Sequence, residues 1–160
     1  MKRLASITAT LALTLLPFTA QAQDYASLID EDFLRATFPF SEGESMKHAD
    51  CEVKTVFTCT YIWGAPSDKD ATRVSLGLAP SGHQVMVMFA ETNGMAAWPR
   101  ATQTYPDGQD ISGLGQAAMW SAARGQISVM TAENLLFHVN VEDFPQETAT
   151  AVAAHILEGL

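Results

Sequence analysis

The sequence predicts a single α+β domain: a twisted antiparallel sheet with an N-terminal and a C-terminal helix packed on it. Three observations carry this. Segments rich in Thr, Val, Ile and aromatic residues recur between Val53 and Val141, joined by connections too short for parallel crossovers. A capped helical pattern precedes them, and a four-residue apolar repeat closes the chain. No internal repeat, linker or low-complexity tract divides the 160 residues.

The first segment is a targeting element rather than part of the fold. Lys2 and Arg3 precede an uncharged run from Leu4 to Phe18, and Ala20-Gln21-Ala22 supplies small residues at the −3 and −1 positions. This predicts a signal peptide over 1–22, with the folded domain at 23–160 and a periplasmic or secreted location. The run is shorter than a membrane span needs and holds Pro17, so no membrane span is expected. Removing 22 residues leaves 138 and takes away two of nine basic residues but none of the 18 acidic ones, so the formal charge goes from −9 to −11.

Each element has a local reason. Gln23–Ile29 reads as a lead-in. Asp30 is a good N-cap, Glu31 and Asp32 suit the positive helix end, and Ile29 with Leu34 form a hydrophobic staple. Pro39 ends that helix. Phe40–Asp50 is polar and reads as a loop. Val53–Trp63 is strand-like, with Cys59, Tyr61 and Trp63 on one face. After the turn Gly64–Asp70, Arg73–Ala79 alternates, with Val74, Leu76 and Leu78 inward. His83–Ala90 is apolar on both faces (Val85, Val87, Phe89 against Met86, Met88), as in a strand covered on both sides. Gly94–Ala101 can hold a helical turn carrying Trp98. Tyr105–Asp110 is turn-rich, and Ser112–Gly115 leads to a short core segment at Ala117–Trp120. Gln126–Met130 and Asn134–Val141 form a hairpin turning at Thr131-Ala132-Glu133. Phe144, Thr148, Val152, Ile156 and Leu160 recur every fourth residue and define the last helix.

Two Cys exist, Cys51 and Cys59. In an oxidising compartment an even pair bonds; the alternative is two buried thiols. Eight extended residues span roughly 26 Å, whereas bonded Cα atoms lie about 4.4–6.8 Å apart. A bond therefore requires Glu52–Thr58 to double back, although that segment lacks Gly, Pro, Asn and Asp.

Composition excludes more than it selects. A net negative chain with scattered basic residues repels phosphate backbones and anionic lipid, so nucleic acid is not an expected partner. Gly113-Leu114-Gly115-Gln116-Ala117-Ala118 matches G-x-G-x-x-A but lacks a preceding strand, so no dinucleotide or other cofactor is expected. His48, His83, His138 and His155 are isolated, and neither G-x-S-x-G nor HExxH occurs. Asp68-x-Asp70 and Asp107-Gly108-x-Asp110 fall short of a calcium loop. The sharpest metal candidate is His83 with Met86 and Met88, whose thioethers suit Cu(I), although strand alternation puts His83 on the other face.

Short motifs resemble one family. Asp30-Glu31-Asp32-Phe33-Leu34, the Cys59-Thr60-Tyr61 strand, the Ser112–Ala118 segment, the hairpin over Gly125–Val141 and the closing helix are similar to those of bacterial cell-envelope domains with a PsbP-like α/β/α sandwich. Gln116 stands where that group often has Asp, and no lipid-attachment Cys follows the leader. The resemblance implies a fold; the group shares no common enzymatic activity to carry over.

These readings point to a non-enzymatic exported domain that binds a protein, peptide or envelope component in the periplasm. Tyr61 and Trp63 are the candidate binding surface. The alternatives are a small hydrolase with dispersed catalytic residues and a copper binder.

Overall fold

The computed structural model describes residues 25–53, 56–64, 82–90, 94–141 and 144–160 (for 47–50 and 53, the backbone alone). The expected leader at 1–22, the alternating segment at 73–79 and the Asp68/Asp70 pair lie outside the described residues. The strands are β1 (Met46–Val53), β2 (Phe57–Trp63), β3 (His83–Ala90), β4 (Gln109–Ile111), β5 (Ala117–Ser121), β6 (Gln126–Met130) and β7 (Leu136–Asn140). They form one sheet, antiparallel throughout, in the order β1-β2-β3-β7-β6-β5-β4. The helices are α1 (Glu31–Thr37), α2 (Gly94–Gln103) and α3 (Gln146–Gly159). The single α+β domain expected from the sequence is what forms.

One sheet face carries the core. Cys59, Tyr61 and Trp63 of β2, Val85, Val87 and Phe89 of β3, Ile127 and Val129 of β6, and Phe137 and Val139 of β7 join Leu34 of α1 and Ala149, Val152, Ala153 and Ile156 of α3 in one buried cluster. The fourfold spacing of the last helix thus buries Val152 and Ile156, while Leu160 beyond its end stays partly exposed. The two terminal helices meet where Phe33 stacks on His155, ring centroids 3.8 Å apart. α2 lies against the opposite face. Its leading amides are capped from the β6–β7 turn: Gly94 N–H donates to the Asn134 carbonyl at 3.1 Å and Met95 N–H to Asn134 Oδ1 at 2.7 Å. Asn134 adopts φ 69°, a left-handed conformation Asn tolerates. Gly94 must lack a side chain, because a Cβ there would lie 2.5 Å from the Asn134 carbonyl.

α1 follows its sequence signals. Asp30 Oδ1 accepts from Phe33 N–H at 2.7 Å, and the helix stops at Thr37, ahead of Pro39. Asp30→Ala should therefore cost about 1 kcal/mol of stability. A urea midpoint unchanged by that substitution would show that the cap contributes nothing.

Two sequence expectations are corrected here. Phe40–Asp50 is not all loop, because β1 begins at Met46. Val53–Trp63 is not one strand: the chain reverses between Val53 and Phe57, so β1 and β2 form a hairpin. The reason is covalent. Cys51 and Cys59 are bonded and directly opposite each other, with Cα atoms 4.1 Å apart. In the chain-entropy model a loop this short contributes about 2.5 kcal/mol. Cys51→Ala/Cys59→Ala should accordingly melt about 10 °C below the parent. Equal melting temperatures would remove the bond from the list of stabilising features.

Candidate functional site

Tyr61 and Trp63 do not form an exposed surface. They are 5% and 0% exposed, because the face they share is the one that α1 and the aromatic residues flanking it cover. Phe40 stacks on Trp63 at 4.8 Å, Phe38 meets it edge-on at 5.1 Å, and Trp63 Nε1–H reaches the Pro39 carbonyl at 3.4 Å. Among the described residues the exposed large hydrophobics are Met95, in α2, and Leu160, just past the end of α3.

Tyr61 differs from Trp63 in one respect. A cavity of about 290 Å³ lies where the short 3₁₀ turn Tyr25–Leu28 and the start of α1 pass over β1 and β2. It is lined by Ala26, Ile29 and Glu31 from above and by Met46, Cys51 and Tyr61 from the sheet. The Tyr61 hydroxyl is buried and has no hydrogen-bond partner among the described residues. A buried hydroxyl left unpaired costs about 1–3 kcal/mol, so it marks a place where an interaction is missing. Burial also pushes the phenol pKa up to about 12, so the group stays protonated and can donate. Strand alternation put Tyr61 inward, but nothing in the sequence signalled that its hydroxyl would lack a partner.

A second polar grouping sits on the opposite sheet face, near α2. Register places Ser128 of β6 beside His138 of β7, and Gln126 beside Asn140. Ser128 Oγ is 2.8 Å from His138 Nδ1. Gln126 Nε2 is 2.6 Å from the Tyr105 hydroxyl and 3.2 Å from the same ring nitrogen. The orientation of the Gln126 amide therefore sets the imidazole tautomer. Burial drives the His138 pKa down to about 4, so the ring is neutral at pH 7. This is not the geometry of a serine hydrolase. Ser128 is buried, its oxygen meets Nδ1, and among the described residues no carboxylate orients the ring. The nearby Asp107 is engaged elsewhere, accepting from the Ser121 hydroxyl at 2.9 Å and from Ala123 N–H at 2.8 Å, which hold its pKa below the usual carboxylate range. The alternating polar positions 126, 128, 138 and 140 were the available signal for this network. Their cross-strand register was not.

The remaining candidates separate. His83 is exposed and tilts toward Trp63 and Phe144, on the core side of β3, whereas Met86 and Met88 are half-buried on the other side. The strand does not bring the three together as copper ligands. Among the described residues no group of three or more His, Cys, Asp or Glu could hold a metal ion. The Gly113–Ala118 motif is followed by β5 rather than a helix, so it lacks the helix N-terminus that binds a pyrophosphate. Gly115, at φ 62°, lies against the Met130 carbonyl and serves to bring the chain into the sheet. A larger cleft of about 670 Å³ runs between Gly115–Gln116, Thr131–Glu133 and Leu157. Its floor is already paired: Gln116 N–H donates to the Met130 carbonyl and Leu135 N–H to Thr131 Oγ1. The smaller cavity, with its unpartnered hydroxyl, is therefore the better site. No helix among the described residues is long and apolar enough to cross a membrane. No family model, curated protein or solved structure matches this chain.

Proposed function

We propose that this chain is an exported, non-enzymatic binding domain of the periplasm or medium, and that the cavity at Tyr61 receives part of its ligand. The leader-like first 22 residues and the cystine support export. The observation that carries the binding reading is the cavity that Tyr61 lines, beside a buried Tyr61 hydroxyl that has no partner among the described residues. At about 290 Å³ the space lies at the lower limit of small-molecule pockets. It suits a side-chain-sized apolar group that carries, or sits next to, one hydrogen-bond acceptor.

The test is a titration of the isotope-labelled domain, leader removed, with N-acetyl-leucinamide, read by amide shifts. Shifts should centre on Ile29, Glu31, Met46, Cys51 and Tyr61 and vanish in the cavity-filling variant Ala26→Leu. Tyr61→Phe should weaken the probe several-fold while leaving stability equal or raising it by up to about 1 kcal/mol, because an unsatisfied hydroxyl has been removed. Absence of shifts at saturating probe would overturn the reading, as would a clear loss of stability in Tyr61→Phe.

A further inference from the structure

The cavity adjoins the end strand of the sheet, and the two together define a partner. β1 is eight residues long and pairs with β2 on one side; among the described residues no strand lies on its other side. The opposite end strand, β4, has three residues. The 4.1 Å Cα separation of Cys51 and Cys59 is that of a non-hydrogen-bonded antiparallel pair. In such a pair the N–H and C=O of each residue point away from the other, so those of Cys51 point to the outer edge of the sheet. A strand added along that edge would place one residue directly opposite Cys51, exchanging both hydrogen bonds with it. Residues directly opposite each other share a sheet face. That residue's side chain therefore lies on the same face as the Cys51 side chain, which lines the cavity with Met46 and Tyr61.

We infer that the outer edge of β1 accepts an extended peptide segment of a partner protein as an added antiparallel strand, with one uncharged apolar side chain seated in the Tyr61 cavity. This rests on the binding role proposed for that cavity. In strand addition, main-chain hydrogen bonds supply affinity and a pocket for alternate side chains supplies selectivity. Charge selects the flanks. The chain carries a net −9, so basic residues beside the anchor are favoured. The Tyr61 hydroxyl, unpaired among the described residues, turns to donate to a carbonyl next to the anchor side chain once that side chain is seated.

The probe is a capped pentapeptide, acetyl-Lys-Val-Leu-Val-Lys-amide, titrated into the oxidised domain with the leader removed. It should bind at least about tenfold more tightly than N-acetyl-leucinamide, slow hydrogen exchange at the Cys51 amide, and weaken as salt is raised. Methylating the backbone nitrogen of the central leucine removes the donor aimed at the Cys51 carbonyl and should cost about tenfold or more. Methylating the first valine nitrogen, which points outward, should cost little. Aspartate in place of the central leucine should abolish binding. If leucinamide shifts the cavity resonances but the pentapeptide binds no tighter, or if both methylated peptides bind equally, strand addition is wrong and the cavity reading stands. If neither probe binds, both fail. A domain that sediments as a dimer without peptide, with Cys51 exchange already slowed, places a second copy on the edge and overturns the inference.

Discussion

Trp63→Ala should be close to unfolding the domain. The indole has no solvent exposure and is enclosed by Phe38, Phe40, Phe144 and His83. Removing a fully buried Trp costs about 3–5 kcal/mol, from lost burial and from the void left behind. Here the void would open at a junction. Trp63 ends β2, and its ring holds down both the segment leaving α1 and Phe144, which precedes α3. Those neighbours belong to chain segments that are not adjacent in sequence, so collapse onto the hole is restricted. Against a typical total of about 5–15 kcal/mol, a loss of that size leaves a thin margin. The melting temperature should fall by about 10–20 °C. Phe40→Ala, which takes away one partly exposed ring of the enclosure, should cost clearly less. A drop of under about 3 °C for Trp63→Ala would mean that the aromatic enclosure is not a structural junction.

Acid should destabilise the fold well before its carboxylates titrate, and His138 should be the main cause. The folded-state pKa is about 4, against 6.5 for a free imidazole, because the ring is desolvated between β6 and β7. A group whose pKa is depressed on folding binds a proton in the unfolded chain first. Between pH 6.5 and 4 the unfolded state therefore holds more protons than the native one, and stability rises with pH across that window. Read downward, stability is intact above about pH 7, falls as pH drops through 6.5, and levels off near 4, with a total loss of about 3 kcal/mol. His138→Gln keeps a hydrogen-bonding side chain beside Ser128 and removes the titration. Urea midpoints at pH 7.5 and 4.5 should differ by much less in that variant than in the parent. If the two proteins lose stability in parallel, another group is responsible. Asp107 acts in the same sense at lower pH: its depressed pKa means that its contribution is present above the ordinary carboxylate range and is lost only as pH falls below it.

The elements legible in the sequence were those specified by local chemistry. Asp30, the Ile29–Leu34 pair and Pro39 fix α1 without reference to the rest of the chain. The fourfold apolar repeat fixes α3, and Thr131-Ala132-Glu133 fixes the turn between β6 and β7. The cystine was legible because an even pair of Cys behind a leader-like segment is expected to bond, and it goes with the reversal that residue propensities concealed. What was missed depends on partners distant in sequence. The Met-Lys-His-Ala-Asp stretch that starts β1 has no alternation, and it becomes a strand because it pairs with β2. α2 was legible only as a helical turn over Gly94–Ala101: Pro99 and Gly94 are breakers, and the start of the ten-residue helix is capped by Asn134, far along the chain. β4 sits within a loop-forming composition and exists only by pairing with β5. The candidate site was half legible: alternation grouped Tyr61 with Trp63, but whether a ring in that row meets a neighbour or an empty space depends on how α1 and the 3₁₀ turn lie across it.

The order of the strands has a consequence for assembly kinetics. β1, β2 and β3 pair in sequence, as do β4, β5, β6 and β7, so each half of the sheet is stitched by neighbouring segments. The join between β3 and β7 is the exception, with Phe89 meeting Phe137 across 48 positions of chain. Closing that interval carries most of the loop entropy that the topology demands, and it must be met before the central row can reward it. Each meander can therefore gain and lose its hairpins rapidly on its own, while productive collapse waits on one docking event, and mutations that loosen Val87 against Val139 should slow refolding more than mutations of equal cost at either margin of the sheet.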